Sequence, residues 1–124
     1  MPIDLLHDKL AGILKVKLSG LVSVQEINSS LLQLVSSDDI PSDIHAIWDV
    51  SEMEFGNVTI DFQRELIDFR KHYVGVRGNA KIAILSQYSL ADPLVKLYTI
   101  LSKDLHQETK VFIDEDSARQ WLSE

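Results

Sequence analysis

Apolar and polar residues alternate with a period of two near the start of the chain. Leu14, Val16 and Leu18 are separated by lysines, so one side of this segment would be buried and the other would face water. Such alternation is typical of a β-strand with one wet face, at a sheet edge or in an antiparallel pair. Residues 3–8 are predicted to form its hairpin partner, with a DKLAG reversal that ends at Gly12 and uses its freedom for positive φ.

The hydrophobic period changes to that of a helix in later segments. Ser23 and Glu26 have the spacing of a capping box, in which each side chain accepts a hydrogen bond from the other residue's backbone N–H at a helix start. Apolar residues then recur every three or four positions, and Pro41 marks a stop. The same reasoning predicts helices at 24–36, at 60–73 with a Thr59 or Asp61 cap, at 93–105, and after an Asp114 cap.

Short apolar runs between the helices predict three more strands. They are HAIWDV at 45–50, Ala80 to Leu85, and Lys110 to Ile113. The continuous run IAIL in the second of them indicates burial on both faces, as in the middle of a parallel sheet. Because strands alternate with helices, we predict a single α/β domain over 1–124, with a mixed, mostly parallel sheet of four or five strands, an N-terminal hairpin and about four helices.

Composition and charge restrict the classes of function. The 124 residues include 45% hydrophobic and 25% charged side chains, which suits one compact domain with its own core. There is no cysteine, so disulfides, thiolate metal sites and cysteine nucleophiles are excluded. A net charge of -7 argues against nucleic acid or an anionic membrane as the main partner. With no apolar run of about 18 residues and no signal-peptide pattern, we expect a cytoplasmic protein without a membrane span.

The order of the segments carries a resemblance to a known family. The opening hairpin into VKLSG, the IWDVSEMEF strand end, the AKIAIL strand and the close KVFIDEDSARQWL follow one another over nearly the whole chain. With these segments the chain resembles the small single-domain STAS/Sec14-like proteins, also called SpoIIAA-like, which are similar to bacterial anti-sigma-factor antagonists and to lipid-carrying Sec14 domains. The resemblance implies an open α/β domain of four or five strands with helices mostly on one side. It implies no activity.

The sharpest functional hypothesis concerns Ser51. The anti-sigma-factor antagonists that the chain resembles are phosphorylated on a serine placed as Asp-x-Ser at a strand-to-helix turn, and Asp49-Val50-Ser51 has that spacing. Glu52 and Glu54 follow, however, and their carboxylates would repel a phosphate that carries nearly two negative charges. Phosphorylation of Ser51 is thus one hypothesis, and a turn serine that bonds its own loop backbone is the favoured alternative.

A second hypothesis is a pocket for a small apolar or lipid-like ligand near the carboxyl ends of the strands, where ligands of such sheets bind. Its candidate contacts are Ser51, Phe55, Ser86, Tyr88 and Ser89. A carrier of this kind needs an apolar cavity of about 300 Å³ or more that opens near Phe55 and Tyr88. Loop and cap chemistry explains the SQYS cluster at 86–89 nearly as well.

Catalysis has little support in the sequence. The four histidines are dispersed without metal-ligand spacing, and neither a G-x-S-x-G elbow nor a phosphate-binding glycine loop is present. We therefore expect no enzyme activity, no cofactor and no metal. Arg70, Lys71, His72 and Arg77 form a basic stretch, which is expected to be the wet side of a helix.

Protein association is the remaining class of function, and it is the one we favour. A small domain of this architecture can pair through an exposed helix or an edge strand, with a second copy as a homodimer or with a basic regulatory partner. The sequence thus predicts a non-catalytic regulatory or protein-binding module. The alternative is a carrier or sensor of a small apolar ligand, and a phospho-switch at Ser51 is less favoured.

Overall fold

Five strands and three helices make up the part of the chain that the computed structural model describes, residues 3–36, 38, 40–41, 43–54, 56–71, 80–86, 100 and 108–124. In chain order they are β1 (Ile3–Asp8), β2 (Ile13–Gly20), α1 (Val24–Ser36), β3 (His45–Met53), α2 (Ile60–Lys71), β4 (Ile82–Leu85), β5 (Thr109–Phe112) and α3 (Glu115–Leu122). The helix predicted at 93–105 lies outside the described residues, apart from Ile100, whose backbone is helical.

The strands form one sheet in the order β1-β2-β3-β4-β5. β1 runs antiparallel to β2, and every later pair of neighbours is parallel. The predicted N-terminal hairpin and mixed, mostly parallel sheet are therefore confirmed. Since each strand lies beside the one before it in sequence, every parallel connection moves the chain one strand further across the sheet.

The hairpin turns at the residues that its sequence indicates. Gly12 has a φ of 66°, a left-handed conformation that glycine adopts without steric cost. The Asp8 carboxylate accepts a hydrogen bond from the backbone N–H of Ala11 at 3.1 Å, and the Asp8 carbonyl accepts one from the N–H of Gly12 at 2.9 Å. Asp8 therefore closes the turn with both its side chain and its backbone.

Each of the three helices begins at a capping residue. At α1 the backbone N–H of Ser23 donates to Glu26 Oε1 at 3.0 Å, and the N–H of Glu26 donates to Ser23 Oγ at 3.1 Å, which is the predicted capping box. Thr59 Oγ1 accepts a backbone N–H in the first turn of α2 at 3.1 Å. At α3, Asp114 Oδ1 accepts the N–H of Ser117 at 2.8 Å. These local patterns fix where the helices start.

The sheet carries an apolar core on each face. The first core is closed by α1 and α2, and its buried residues are Leu14, Val16, Leu18, Val22, Ile27, Leu31, Ile44, Ala46, Met53, Leu66, Ile82, Ile84 and Val111. The second core is closed by α3, and its buried residues are Ile13, Ile47, Ala83, Leu85, Ala118 and Leu122. Two of the three described helices thus share one face, and the central strands are covered on both.

Trp121 lies at the margin of the second core. It is half-buried, and the centroid of its ring lies 5.7 Å from that of Phe112. Lys81 Nζ lies 5.2 Å from the centroid of the Trp121 ring and donates a hydrogen bond to the Trp121 carbonyl at 3.3 Å. The contacts attach the end of α3 to the segment that enters β4.

β3 is longer than predicted. The sequence pattern ends the strand at Val50, whereas the structure continues it to Met53. After a register shift, the last two residues of β2 pair with Glu52 and Met53. The neighbouring strand supplies this pairing, which the local pattern of β3 does not reveal. Ser51 therefore lies within a strand and not in the turn that was expected.

We expect Leu14→Ala to lower the free energy of unfolding by about 2–5 kcal/mol, because it leaves a cavity in the first core. The Leu14 side chain is fully buried in β2. Urea denaturation followed by circular dichroism measures the change. Leu32→Ala is the control, since Leu32 is 44% exposed on α1, and it should stay within about 1 kcal/mol of the parent. Equal losses in the two variants would contradict the assignment of the first core.

Candidate functional site

The structure describes two of the five predicted contact residues. Ser51 lies half-buried in β3, and Ser86 is fully buried directly after β4, where its backbone N–H donates to the Phe112 carbonyl at 3.0 Å. Phe55, Tyr88 and Ser89 lie outside the described residues. The structure therefore does not test the five residues as one site.

Ser51 is bonded to the aspartate two positions before it. Its hydroxyl donates to Asp49 Oδ1 at 2.5 Å, and its backbone N–H donates to the same oxygen at 3.0 Å. Asp49 is 6% exposed. The bonding is local, as the favoured alternative expects, but it uses a side-chain carboxylate in a strand and not the backbone of a loop. A phosphate on Ser51 would place nearly two negative charges beside this buried carboxylate, so the phospho-switch stays a prediction with local repulsion against it.

A chain of charged side chains extends from Asp49 to α3 across the second face of the sheet, the face that carries the second core. Lys15 Nζ lies 4.0 Å from Asp49 Oδ2 and 2.5 Å from Glu115 Oε1. Arg119 Nε lies 2.8 Å from Glu115 Oε2, and Arg119 Nη1 lies 3.1 Å from Asp8 Oδ2. We call these five residues the charge network. It connects β1, β2, β3 and α3.

The charge network shifts the pKa values of Asp8, Glu115 and Arg119. Hydrogen bonds from Lys15 and then from Arg119 hold the pKa of Glu115 below its ordinary value. The pKa of Asp8 is lowered first by the backbone N–H of Ala11 and then by Arg119. The same Glu115 contact raises the pKa of Arg119. Every member is engaged by a neighbour of opposite charge, so the network is suited to attaching α3 to the sheet.

The first face of the sheet, which α1 and α2 cover, contains an apolar cavity. Its volume is about 100 Å³, and it lies between the sheet and helices α1 and α2. Its apolar lining is Leu18, Ile27, Leu31, Trp48, Val50, Met53, Val58, Phe62, Leu66, Ile82 and Ile84. The volume is below the roughly 300 Å³ at which drug-sized ligand pockets begin. In the described part of the chain, this cavity therefore suits a small molecule and not a lipid-sized one.

Two polar side chains also line the cavity, and both come from α2. Gln63 is 2% exposed and Arg70 is 9% exposed. The prediction that Arg70 lies on the wet side of a helix is therefore wrong. Gln63, Leu66 and Arg70 recur at helical spacing on the inner side of α2, so a helical projection of the segment would have found this arrangement.

β1 forms the edge of the sheet, and it exposes apolar side chains. Its only strand partner among the described elements is β2. Leu6 is 61% exposed; Leu5, the residue before it in β1, and Leu10, in the hairpin turn, are also exposed. Edge strands are normally protected by charges, bulges or prolines, because their free N–H and C=O groups can pair with another chain. The leucines make this edge a candidate interaction surface.

The described residues offer no metal-binding group. Among them, no three histidine, aspartate or glutamate side chains come together in a way that could hold a metal ion. In the same residues, no helix has the length and apolar character needed to cross a membrane.

Glu115→Gln is expected to reduce the loss of stability that the protein suffers on acidification. The pKa of Glu115 is lower in the folded state than its ordinary value of 4.5. Its stabilising contribution is therefore fully present above that ordinary value and is lost as the pH falls through the lower folded pKa. Urea midpoints measured from neutral to acid pH should fall less steeply below about pH 4.5 in the variant.

The matched control for this experiment is Glu65→Gln. Glu65 is exposed on α2 and lies outside the charge network. This variant should keep the acid slope of the parent protein. A Glu115→Gln profile parallel to that of the parent over the whole acid range would show that the charge network does not stabilise the folded state.

The comparisons with known proteins agree with this architecture. Neither a protein-family model nor a curated protein matches the chain. A similar solved structure is that of an uncharacterised protein of the DUF3478 family from Shewanella loihica PV-4, which has a SpoIIAA-like fold. The two chains are 20% identical with a TM-score of 0.61, over 97% of this chain and 91% of the other. Likeness at this identity shows the fold alone, and the fold of this chain is SpoIIAA-like.

Proposed function

We propose that the protein is a non-catalytic STAS-like module that binds a partner protein through the free edge of β1. The observation that carries the proposal is the exposure of Leu6, 61%, on a strand whose outer edge has no strand partner among the described elements. A partner segment in extended conformation would add a strand to the sheet. The backbone of the partner segment would supply the affinity, and its alternate side chains would supply the specificity.

The chemistry of the edge favours a basic partner segment. Asp4 and Leu6 lie two positions apart in β1, so they project to the same face of the sheet. Residues 1–61 hold ten acidic and three basic side chains, but the basic ones all lie in the β1–β2 hairpin, so the preference of the edge for a cation rests on the exposed Asp4. An extended segment in which a lysine or arginine lies two positions from an apolar residue would place a cation near Asp4 and an apolar side chain against Leu6.

The charge network supports the non-catalytic part of the proposal. Its carboxylates already accept hydrogen bonds or ion pairs from Ser51, Lys15 and Arg119. A general base needs a carboxylate or imidazole that can reach a substrate proton. The arrangement commits these groups to contacts within the protein instead.

A second candidate function is supported by the cavity under α2. Its apolar lining and its two polar side chains fit a sensor of a small ligand. The cavity and the β1 edge are formed by different elements, since the cavity lining comes from β2, β3, β4, α1 and α2. A single module could therefore use both.

Leu6→Lys should weaken binding of a short extended peptide in which a lysine and a valine lie two positions apart by about tenfold. The substitution removes apolar contact and adds a like charge, a change of about 1.4 kcal/mol or more. Fluorescence anisotropy of the labelled peptide measures the affinity. Binding should also weaken as salt is raised, because the attraction between the peptide cation and Asp4 is screened.

Leu32→Lys provides the control for the edge experiment. It makes the same chemical change at an exposed leucine of α1, and it should leave peptide affinity unchanged. Equal weakening by both substitutions would remove β1 as the binding site. A dimer in light scattering that Leu6→Lys dissociates, without peptide binding, would show that the edge pairs with a second copy and would overturn the proposal of a basic partner.

A further inference from the structure

We propose that the cavity under α2 binds a short-chain carboxylic acid, with the alkyl chain inside the apolar lining and the carboxylate on Arg70. The inference deepens the second candidate function and rests on it. It adds the charge and the size of the ligand, which apolar lining alone does not determine.

Arg70 is a buried charged residue beside the cavity. A guanidinium is always charged, and its removal from water is costly unless acceptors surround it. Arg70 is 9% exposed and lines a cavity that is otherwise apolar except for Gln63. Arg64, which lies on the same helix, is exposed to solvent, as charged side chains usually are. Arg70 is therefore the one charged residue among the described residues that line the cavity.

The geometry of the guanidinium selects the class of ligand. Its planar fork presents five N–H donors, and two of them can match the two oxygens of a carboxylate. Arg70 already has at least one interaction within the protein, and a ligand carboxylate would bind in addition to it. A carboxylate beside apolar lining would bind in a site of low dielectric, where charge-assisted hydrogen bonds are strongest.

The volume of the cavity limits the length of the alkyl chain. The cavity holds about 100 Å³, which is less than the roughly 150 Å³ of a cavity known to take benzene. An alkyl chain of about four carbons is therefore the appropriate size. Gln63 lies two helical turns before Arg70, about 10 Å away along the axis of α2, so it marks the opposite end of the lining from the carboxylate.

The test first compares two ligands of equal chain length, one charged and one neutral, and then a longer acid. Pentanoate and pentanamide have the same chain, but only the acid is ionised at neutral pH. Isothermal titration calorimetry of the whole protein should give an affinity for pentanoate about tenfold or more above that for pentanamide. Octanoate, with a longer chain, should bind more weakly than pentanoate.

The variants assign the charge preference to Arg70. Arg70→Met keeps an unbranched side chain but removes the cation, and it should abolish the preference for the acid over the amide. Arg70→Lys keeps the charge without the fork and should retain only part of it. Arg64→Met makes the same substitution as the first variant at an exposed site of α2 and should retain the whole preference. Circular dichroism shows whether each variant folds, and Arg70→Lys serves as the test if Arg70→Met does not.

The possible outcomes separate this inference from the function on which it rests. Equal binding of pentanoate and pentanamide would leave a ligand sensor in place but overturn the carboxylate. An acid preference that survives Arg70→Met would overturn the role of Arg70. If none of the three ligands binds, the inference fails, and the second candidate function fails with it for ligands of this size. Tighter binding of octanoate would overturn the size limit.

Discussion

The fold depends on the burial of the central strands on both faces. Ala46 and Ile47 are consecutive residues of β3 that point to opposite sides of the sheet, and both are fully buried. The strands of a parallel sheet are buried on both sides only if helices cover each face. The first face receives α1 and α2, and the second receives α3. The two faces are closed by different physical means, because the first core is apolar throughout its strands and the second adjoins the charge network.

The sequence predicts those features that are encoded by neighbouring residues. The capping box of Ser23 and Glu26, the hairpin glycine and the alternation of β2 each involve a few adjacent positions, and all are present in the structure. The order of elements then determines an α/β sheet, because helices between strands produce parallel neighbours. Nearly all of the described fold follows from such patterns.

The candidate sites were less predictable, because they depend on contacts between distant segments. Lys15 and Glu115 are a hundred residues apart, and neither has a local pattern that indicates the other. The length of β3 depends on pairing with the end of β2, so Ser51 was assigned to a turn. Arg70 was assigned to solvent because its neighbours in sequence are basic, whereas its environment is set by its side of the helix. The sequence shows residue types well, and their surroundings only through the fold.

α3 closes the second face of the sheet, and it is the last of the described elements to be synthesised. Until it leaves the ribosome, none of the described helices covers Ile13, Ile47 and Ala83, although the strands that carry them are already complete. The nascent chain thus presents an apolar surface on a sheet whose other face can already be covered. The hydrogen bond between Arg119 and Asp8 likewise forms only after α3 has been synthesised. The second face is therefore completed only after all five strands have been synthesised, and the cell must keep the unfinished sheet from aggregating until α3 docks.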